Sequence, residues 1–332
     1  HLVPGLVELH TDHLENHAFP RPKVTWLPPA AVLAYDAQVA AAGMTTVFDC
    51  FRAGSDVDSR SGNESLWSLT AAVSQAQARG LLRAEHHTHI RCEICSYDVL
   101  EQMDRLASLY PIALMSLMDH TPGARQFASI ARWKTYYGGV TGLSDTELDR
   151  LIEARQAAHD ANYQRHRASL VALANDRAIA LASHDDGTAD HVAQSVADAA
   201  VIAEFPTTME AARLSHEAGI QVLMGAPNVV RGGSHSGNIA AIDLAREGLL
   251  DVLSSDYVPG ALLLAAFKLA DEVDTITLPQ AIATVTLNPA RAVGLDDRGA
   301  LRTGLRGDVL RVRLVDGMPV VREVYREGKR VV

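Results

Sequence analysis

Imidazoles and carboxylates recur along this chain at the ends of apolar runs. "GLVELH" leads into His10 and Asp12, and "THIRCE" alternates His89, Arg91 and Glu93. "IALMSLMDH" ends on Asp119 and His120, "AIALASHDD" carries His184, "VIAEF" carries Glu204, and "DVLSSD" ends on Asp256. Imidazole and carboxylate together suit a hard or borderline divalent ion. Such an ion lowers the pKa of a bound water and polarises the bond to be cut, and a carboxylate can take the proton. Asp256, the last of the series, is the candidate for that proton. His10 and Asp12 lie two apart, so on a strand they face the same way. One H-x-D pair is weak evidence. A set spread over several strand ends is harder to dismiss.

The remaining polar groups divide on simpler grounds. His13, Glu15 and His17 are expected in the loop after the H-x-D pair or behind it. Asp49 and Asp119 could cap helices that follow their strands. His159, His166 and His216 fall in helical stretches and are read as structural or solvated. "CEIC" has C-x-x-C spacing, but a redox or zinc site would need a helix or a second thiol pair. Cys92 and Cys95 are therefore read as two thiols at a turn or strand end. A second theme is cationic. "HAFPRPKV", "DHTPGARQF", "RWKTYY" and "GAPNVVRGGSHSGN" place Arg21, Lys23, Arg125, Lys134, Arg231 and His235 on connections. Guanidinium groups suit bidentate contact with phosphoryl oxygens, and Gly232 and Gly233 permit close backbone approach. Solvated surface charge accounts for any one of these cations; several on one face suggest an anionic substrate. "GGSHSG" lacks the G-x-x-x-x-G-K spacing of a phosphate-binding loop.

These residues need a frame that brings strand ends together. Short apolar runs alternate with Ala-rich amphipathic stretches: "GLVEL" as strand, "PPAAVLAYDAQVAAAG" as a helix stopping at Gly43, "MTTVFDC" as the next strand. A polar helix is expected from about Ser144 to Asn175, loops at "RWKTYY" and "GAPNVVRGGSHSGN", and one helix across "PQAIATVTLNPARAVGL". Eight strand candidates with continuous apolar runs read as buried parallel strands. The expected fold is an α/β (β/α)8 metal-dependent hydrolase barrel over residues 5–300, with catalytic groups at the C-terminal ends of its strands. A doubly wound open sheet is the alternative, but no glycine-rich fingerprint follows the first strand. Residues 301–332 switch to period-2 segments joined at "VDG" and "REG", the pattern of short antiparallel strands. A small β-domain is expected there, completed by a segment upstream of His1, which is not a natural start.

Bulk properties narrow the class. The 332 residues are 48% hydrophobic and 21% charged, too apolar for disorder. No apolar run is long enough to span a bilayer. A net charge of -10 gives no sign of duplex nucleic acid as a partner. Three cysteines make no disulfide framework and fit a reducing, cytoplasmic compartment. Homo-oligomerisation stays open.

The ordered set "PGLVELHTDHLENH", "AAGMTTVFD", "HIRCE", "MDHTPGARQF", "SHDDGTADHV", "EFPTTMEAA", "MGAPNVVRGGSHSGN" and "LSSDYVPG" covers nearly the whole chain. It resembles the α-D-ribose 1-methylphosphonate 5-triphosphate diphosphatases of the amidohydrolase superfamily, which serve the carbon–phosphorus lyase route of phosphonate use. The resemblance implies hydrolysis of a phosphoanhydride bond, giving ribose 1-methylphosphonate 5-phosphate and pyrophosphate. It implies one or two divalent ions, zinc foremost, with manganese, nickel or iron as alternatives. His10 and Asp12 match the first-strand metal pair, His184 the fifth-strand histidine, and Asp256 the late aspartate that orients or deprotonates water. Glu93 and His120 are the implied ligands from strands three and four. Arg21, Arg125, Lys134, Arg231 and His235 are the expected substrate contacts. The chain departs from the superfamily in having H-x-D for H-x-H, Glu204 where a second histidine is expected, and no clear bridging lysine. An amide or acetyl hydrolase on the same barrel is the alternative enzyme, and a non-catalytic metal-binding protein the alternative outside catalysis.

Overall fold

The computed structural model describes residues 1–55, 62–126, 129–234 and 237–332. After a short strand β1 (Leu2–Pro4) come eight strands: β2 (Leu6–Thr11), β3 (Met44–Ala53), β4 (Glu85–Glu93), β5 (Ile112–Met118), β6 (Ala180–His184), β7 (Ile202–Glu204), β8 (Gln221–Gly225) and β9 (Val252–Ser254). They pair in parallel and in sequence order from β2 to β9. This is the arrangement that continuous apolar strands flanked by helices favour, since both faces of each strand are covered.

The ring nearly closes through a seam between β9 and β2. Thr11 and Asp256 form an isolated parallel bridge. Asp256 N donates to His10 O at 3.1 Å, and Thr11 Oγ1 donates to Asp256 O at 3.0 Å. Further down, the turn between the helices Leu278–Ala283 and Leu287–Ala292 supplies the acceptors. Val285 O takes Val7 N at 3.0 Å and Thr284 O takes Leu253 N at 2.9 Å. That duty breaks the single helix expected here into two. The Glu8 carboxylate fastens the same seam, accepting His10 N and Ser255 N, each at 2.6 Å.

The barrel interior changes character along its axis. Val7, Leu9, Phe48, Leu114, Leu223 and Val252 form an apolar layer with Ala290 of the helix Leu287–Ala292. Burying side chains of this size stabilises the fold by roughly 1.5–3 kcal/mol each. Nearer the C-terminal strand ends, buried polar groups take over: His10, His89, Ser116, His184 and Glu204. A register irregularity between Glu8 and Thr11 lets Leu9 join the apolar layer while the adjacent His10 packs into the polar one.

Outside the strands, the helix Pro28–Ala41 is held to β3 and β4 by a buried network. Tyr35 donates to Asp49 at 2.8 Å, and the His86 ring lies 2.9 Å from Asp49 and 3.3 Å from Asp36. Asp49 thus sits inside β3 and serves this network, and does not cap a helix. Asp119 likewise caps no helix: it accepts Thr121 N at 3.0 Å. Two expected loops are helical. Ile130–Thr141 forms because Trp133 buries fully against Leu148, Leu151 and Ile152 of the helix Asp145–Arg177. Ala226–Arg231 forms because Pro227 sits in its first turn and Gly232, at φ 82°, ends it.

The second sheet is antiparallel, in the order β1, β10 (Val309–Val315), β11 (Met318–Arg326), β12 (Lys329–Arg330). Its turns fall at Asp316–Gly317 and Glu327–Gly328, where all four residues have φ between 49° and 79°. Such pairs match the twist of a two-residue hairpin. Val3, Leu310, Val312 and Val324 anchor the sheet on the main core. No helix among the described residues is long and apolar enough to cross a membrane.

Candidate metal centre and active site

The C-terminal ends of the barrel strands open on a cavity of about 540 Å³. At its base Glu204, fully buried at the end of β7, holds two imidazoles at once. Its Oε1 lies 2.9 Å from His10 Nδ1 and its Oε2 3.0 Å from His184 Nδ1. Ser116 Oγ donates to Oε2 at 2.7 Å. The two rings stack with centroids 5.7 Å apart. Burial works against the Glu204 charge, but His10 and His184 outweigh it and hold the carboxyl well below its usual range. An anionic carboxylate at both Nδ1 atoms fixes the tautomer and leaves both Nε2 lone pairs for a cation. His89 packs behind His10 with its ring 2.5 Å from Ser116 Oγ and 2.9 Å from Leu9 O. Burial pushes it down to about 3, so it is a neutral histidine.

A second pair sits beside the first. His120, just beyond β5, places Nδ1 2.6 Å from Glu93 Oε2, and its N donates to Glu93 Oε1 at 3.2 Å. Burial raises the Glu93 carboxyl, but His120 and Arg52 more than compensate and hold it down at about 2. The His120 ring meets His184 edge-on at 5.8 Å. Asp185 completes this corner: its Oδ2 lies 3.4 Å from His184 Nε2, and it is buried without a hydrogen bond.

Three strand exits share one device. Asp185, Phe205 and Asp256 follow β6, β7 and β9 and have φ of 56°, 53° and 53°. Each donates its N–H onward, to Glu204 O, Leu223 O and His10 O respectively. The left-handed turn therefore preserves the hydrogen-bond ladder while all three side chains line the cavity. A non-glycine residue in this region carries local strain, the kind held at functional sites.

The sequence candidates separate clearly in space. His10, Asp12, His120, His184, Asp256 and Arg231 all line the cavity. Asp12 is paired with Arg91 at 3.2 Å. Asp256 stands beside the end of β8, where a Cβ on Gly225 would come 3.5 Å from Asp256 Oδ2. Glu93 lies behind His120 and not on the cavity wall. Arg125 is buried in an ion pair with Asp186, and Lys134 pairs with Asp149 at 2.5 Å. Arg21 is exposed in a turn bridged to Val24. None of these three lines the cavity. His235 falls outside the described residues. His13 and His17 both reach Gln38, at 3.1 and 2.8 Å, and so brace the helix Pro28–Ala41. Sequence reasoning passed over Asp185, Arg91, Tyr136, Asn228 and Asn238 as cavity groups. Two signals were available: the doubled acid after His184, and Arg91 on the same strand face as His89 and Glu93.

The nearly closed parallel barrel, with imidazoles and carboxylates at its strand ends, is a fold shared with solved structures. It matches the 5-methylcytosine deaminase from Klebsiella pneumoniae (TM-score 0.65, 16% identity, 100% of this chain and 86% of the other). It also matches the N-acetyl-D-glucosamine-6-phosphate deacetylase from Mycobacterium smegmatis (TM-score 0.62, 16% identity, 100% and 86%). No family model matches the sequence. The sequence is 47% identical over 331 residues to the alpha-D-ribose 1-methylphosphonate 5-triphosphate diphosphatase of Escherichia coli (strain K12), covering 99% of this chain and 88% of that protein. The chain belongs to the α-D-ribose 1-methylphosphonate 5-triphosphate diphosphatase family.

Proposed function

We propose that this protein hydrolyses α-D-ribose 1-methylphosphonate 5-triphosphate to the corresponding 5-phosphate and pyrophosphate, using one or two divalent ions. One observation carries the reading: 47% identity to the Escherichia coli diphosphatase across 99% of the chain. The donor chemistry fits a divalent ion. His10, His184 and Glu204 bring ligand atoms within 4.8 Å of one another, as do His120, His184 and Asp185. The buried, unbonded Asp185 Oδ2 is the kind of orphan a cation satisfies. We assign His10, His120, His184 and Asp185 as the main candidates, with Asp12 and Asp256 beside them. Glu204 and Glu93 are read as the carboxylates that orient the rings. Zinc suits this nitrogen and oxygen set best; manganese, nickel or iron remain alternatives. Bound there, the ion supplies Lewis acidity toward a phosphoryl oxygen and lowers the pKa of a water.

The chain's own groups do the rest. The Asp256 carboxylate, on the cavity wall, accepts the proton of the attacking water. Arg231 and Arg91 neutralise charge on the phosphoryl oxygens as it grows. Asn238 and Tyr136 on the cavity wall offer polar contacts to a ribose, while Asn228 holds the backbone of Ile239 and Ala241. Arg125 and Lys134 lie off the cavity wall, paired with Asp186 and Asp149, and stay out of this reading. The three free thiols support a reducing, cytoplasmic setting. The test is direct: incubate the metal-replete protein with the 5-triphosphate and follow products by phosphorus NMR. Stoichiometric pyrophosphate is expected. Release of orthophosphate alone, or turnover only of neutral amides, sinks the assignment.

A further inference from the structure

Away from the cavity, three donors from separate elements converge on one point. Cys95 comes from the turn after β4, Asp119 from the exit of β5, and His159 from the helix Asp145–Arg177. Cys95 Sγ lies 3.5 Å from His159 Nδ1 and 3.3 Å from Asp119 Oδ1. His159 Nδ1 lies 3.2 Å from Asp119 Oδ2. A tetrahedral zinc with sulfur at about 2.3 Å, and nitrogen and oxygen at about 2.0 Å, needs donor–donor edges of roughly 3.3–3.6 Å. The Cys95–His159 separation falls in that range, and the two Asp119 separations, one from each carboxylate oxygen, lie at or just below its lower edge. Asp119 and His159 also border a separate cavity of about 400 Å³, which can supply a water as fourth ligand.

We propose that Cys95, Asp119 and His159 form a second divalent-cation site, of zinc type, distinct from the barrel centre. Its role is to clamp the long helix to the barrel rim at the residue next to His120. Neighbouring contacts share that geometry: Asn162 donates to Cys95 O at 3.0 Å, and the His166 ring lies 3.0 Å from Ile94 O. The rival reading, a Cys–His–Asp nucleophile, is disfavoured. Burial and the Asp119 charge push the Cys95 thiol well above its usual range when no cation is near, the opposite of an activated nucleophile. A bound cation reverses that preference, because a coordinating thiol is deprotonated. Of the two C-x-x-C thiols only Cys95 takes part; Cys92 is buried in the apolar core.

Cobalt(II) supplies the test, because thiolate coordination gives a near-ultraviolet charge-transfer band that nitrogen and oxygen ligands do not. Full-length protein loaded with Co²⁺ is expected to show that band. Cys95→Ser should abolish it and lower bound Zn²⁺ by one equivalent per chain. His159→Ala, at a half-exposed helix position, should also lower bound Zn²⁺ by one equivalent, which covers the case of a Cys95 variant that does not fold. Cys50→Ala is the needed control, since Cys50 Sγ lies 3.2 Å from His89 Nδ1 near His10; the band should persist there. The proposal is overturned if the wild type shows no thiolate band, if the band survives Cys95→Ser, or if it vanishes with Cys50→Ala.

Discussion

Replacing Glu204 by Gln changes no histidine, yet it should remove one from the proposed metal centre. Glu204 takes three partners: His10 Nδ1 at 2.9 Å, His184 Nδ1 at 3.0 Å and Ser116 Oγ at 2.7 Å. A carboxylate accepts from all of them. An amide accepts through its oxygen and donates through its nitrogen. Whichever way the amide turns, one imidazole faces the NH2 group and must present Nδ1 as an acceptor. Its proton then moves to Nε2, and that ring can no longer bind a cation. Ser116 has a second partner in His89 Nε2, at 2.5 Å, so it tolerates a donor opposite it. The NH2 should therefore take the side of Oε2, and His184 is the ring expected to be lost. Loss of an orienting carboxylate typically costs about 10–100-fold in metal affinity, or ~1.4–2.7 kcal/mol. Competition against a chromophoric chelator measures this directly, and excess metal should restore part of the turnover. A Glu204→Gln protein that binds metal as tightly as the wild type, with unchanged turnover, would refute the role given to this carboxylate.

Other outcomes follow from single groups. Asp256→Asn keeps a residue type that tolerates φ of 53°; turnover should fall by roughly 10²–10⁴-fold with substrate binding retained, and unchanged pyrophosphate release would remove Asp256 from catalysis. Arg231→Gln should raise KM by about tenfold, the scale of one charge-assisted hydrogen bond at ~1.4 kcal/mol, and an unchanged KM would clear it of substrate contact. The buried His86 should make stability fall with rising pH. Burial opposes its charge, but Asp49 and Asp36 raise it to about 9, so its contribution is full below about pH 6.5 and fades as pH climbs through about 9. Melting curves should show that decline in the wild type and not in His86→Gln; equal slopes in both would contradict it.

Periodicity made the barrel legible, because parallel strands buried on both faces leave continuous apolar runs that few other folds produce. A place on the cavity wall was legible where a candidate fell at or near a strand end, as with His10, His184 and Asp256. It was obscured where chemistry depends on partners far apart in sequence. Nothing near Arg125 shows that Asp186 will occupy it, and nothing near Lys134 shows that it faces Asp149 across two helices. Both looked like substrate cations because their loops looked polar. The helix that carries Lys134 exists because Trp133 finds a buried site, a tertiary fact that local composition does not reveal. Glu204 was noticed as a strand-end acid and as a departure from the superfamily pattern. Its meaning needed the two imidazoles that flank it in space.

Asp185 brings these strands of reasoning together in one residue. Its backbone is left-handed, at φ of 56°, and its Oδ2 is buried with no hydrogen bond. Both features cost stability in the metal-free protein, the first through local backbone strain and the second through a buried carboxylate oxygen left without a hydrogen bond. Asn fits the left-handed region at least as well as Asp and carries no charge to desolvate. Asp185→Asn should therefore raise the melting temperature of the metal-free protein, by about 1–2 °C for ~1 kcal/mol in a chain of this size. The same change removes an anionic donor beside His120 and His184, so metal affinity and turnover should fall together. Opposite signs on stability and metal binding are the signature of strain retained for a cation. If the metal-free Asn variant melted below the wild type, the carboxylate would be a structural member of the strand exit, and its place in the metal centre would lose its main support.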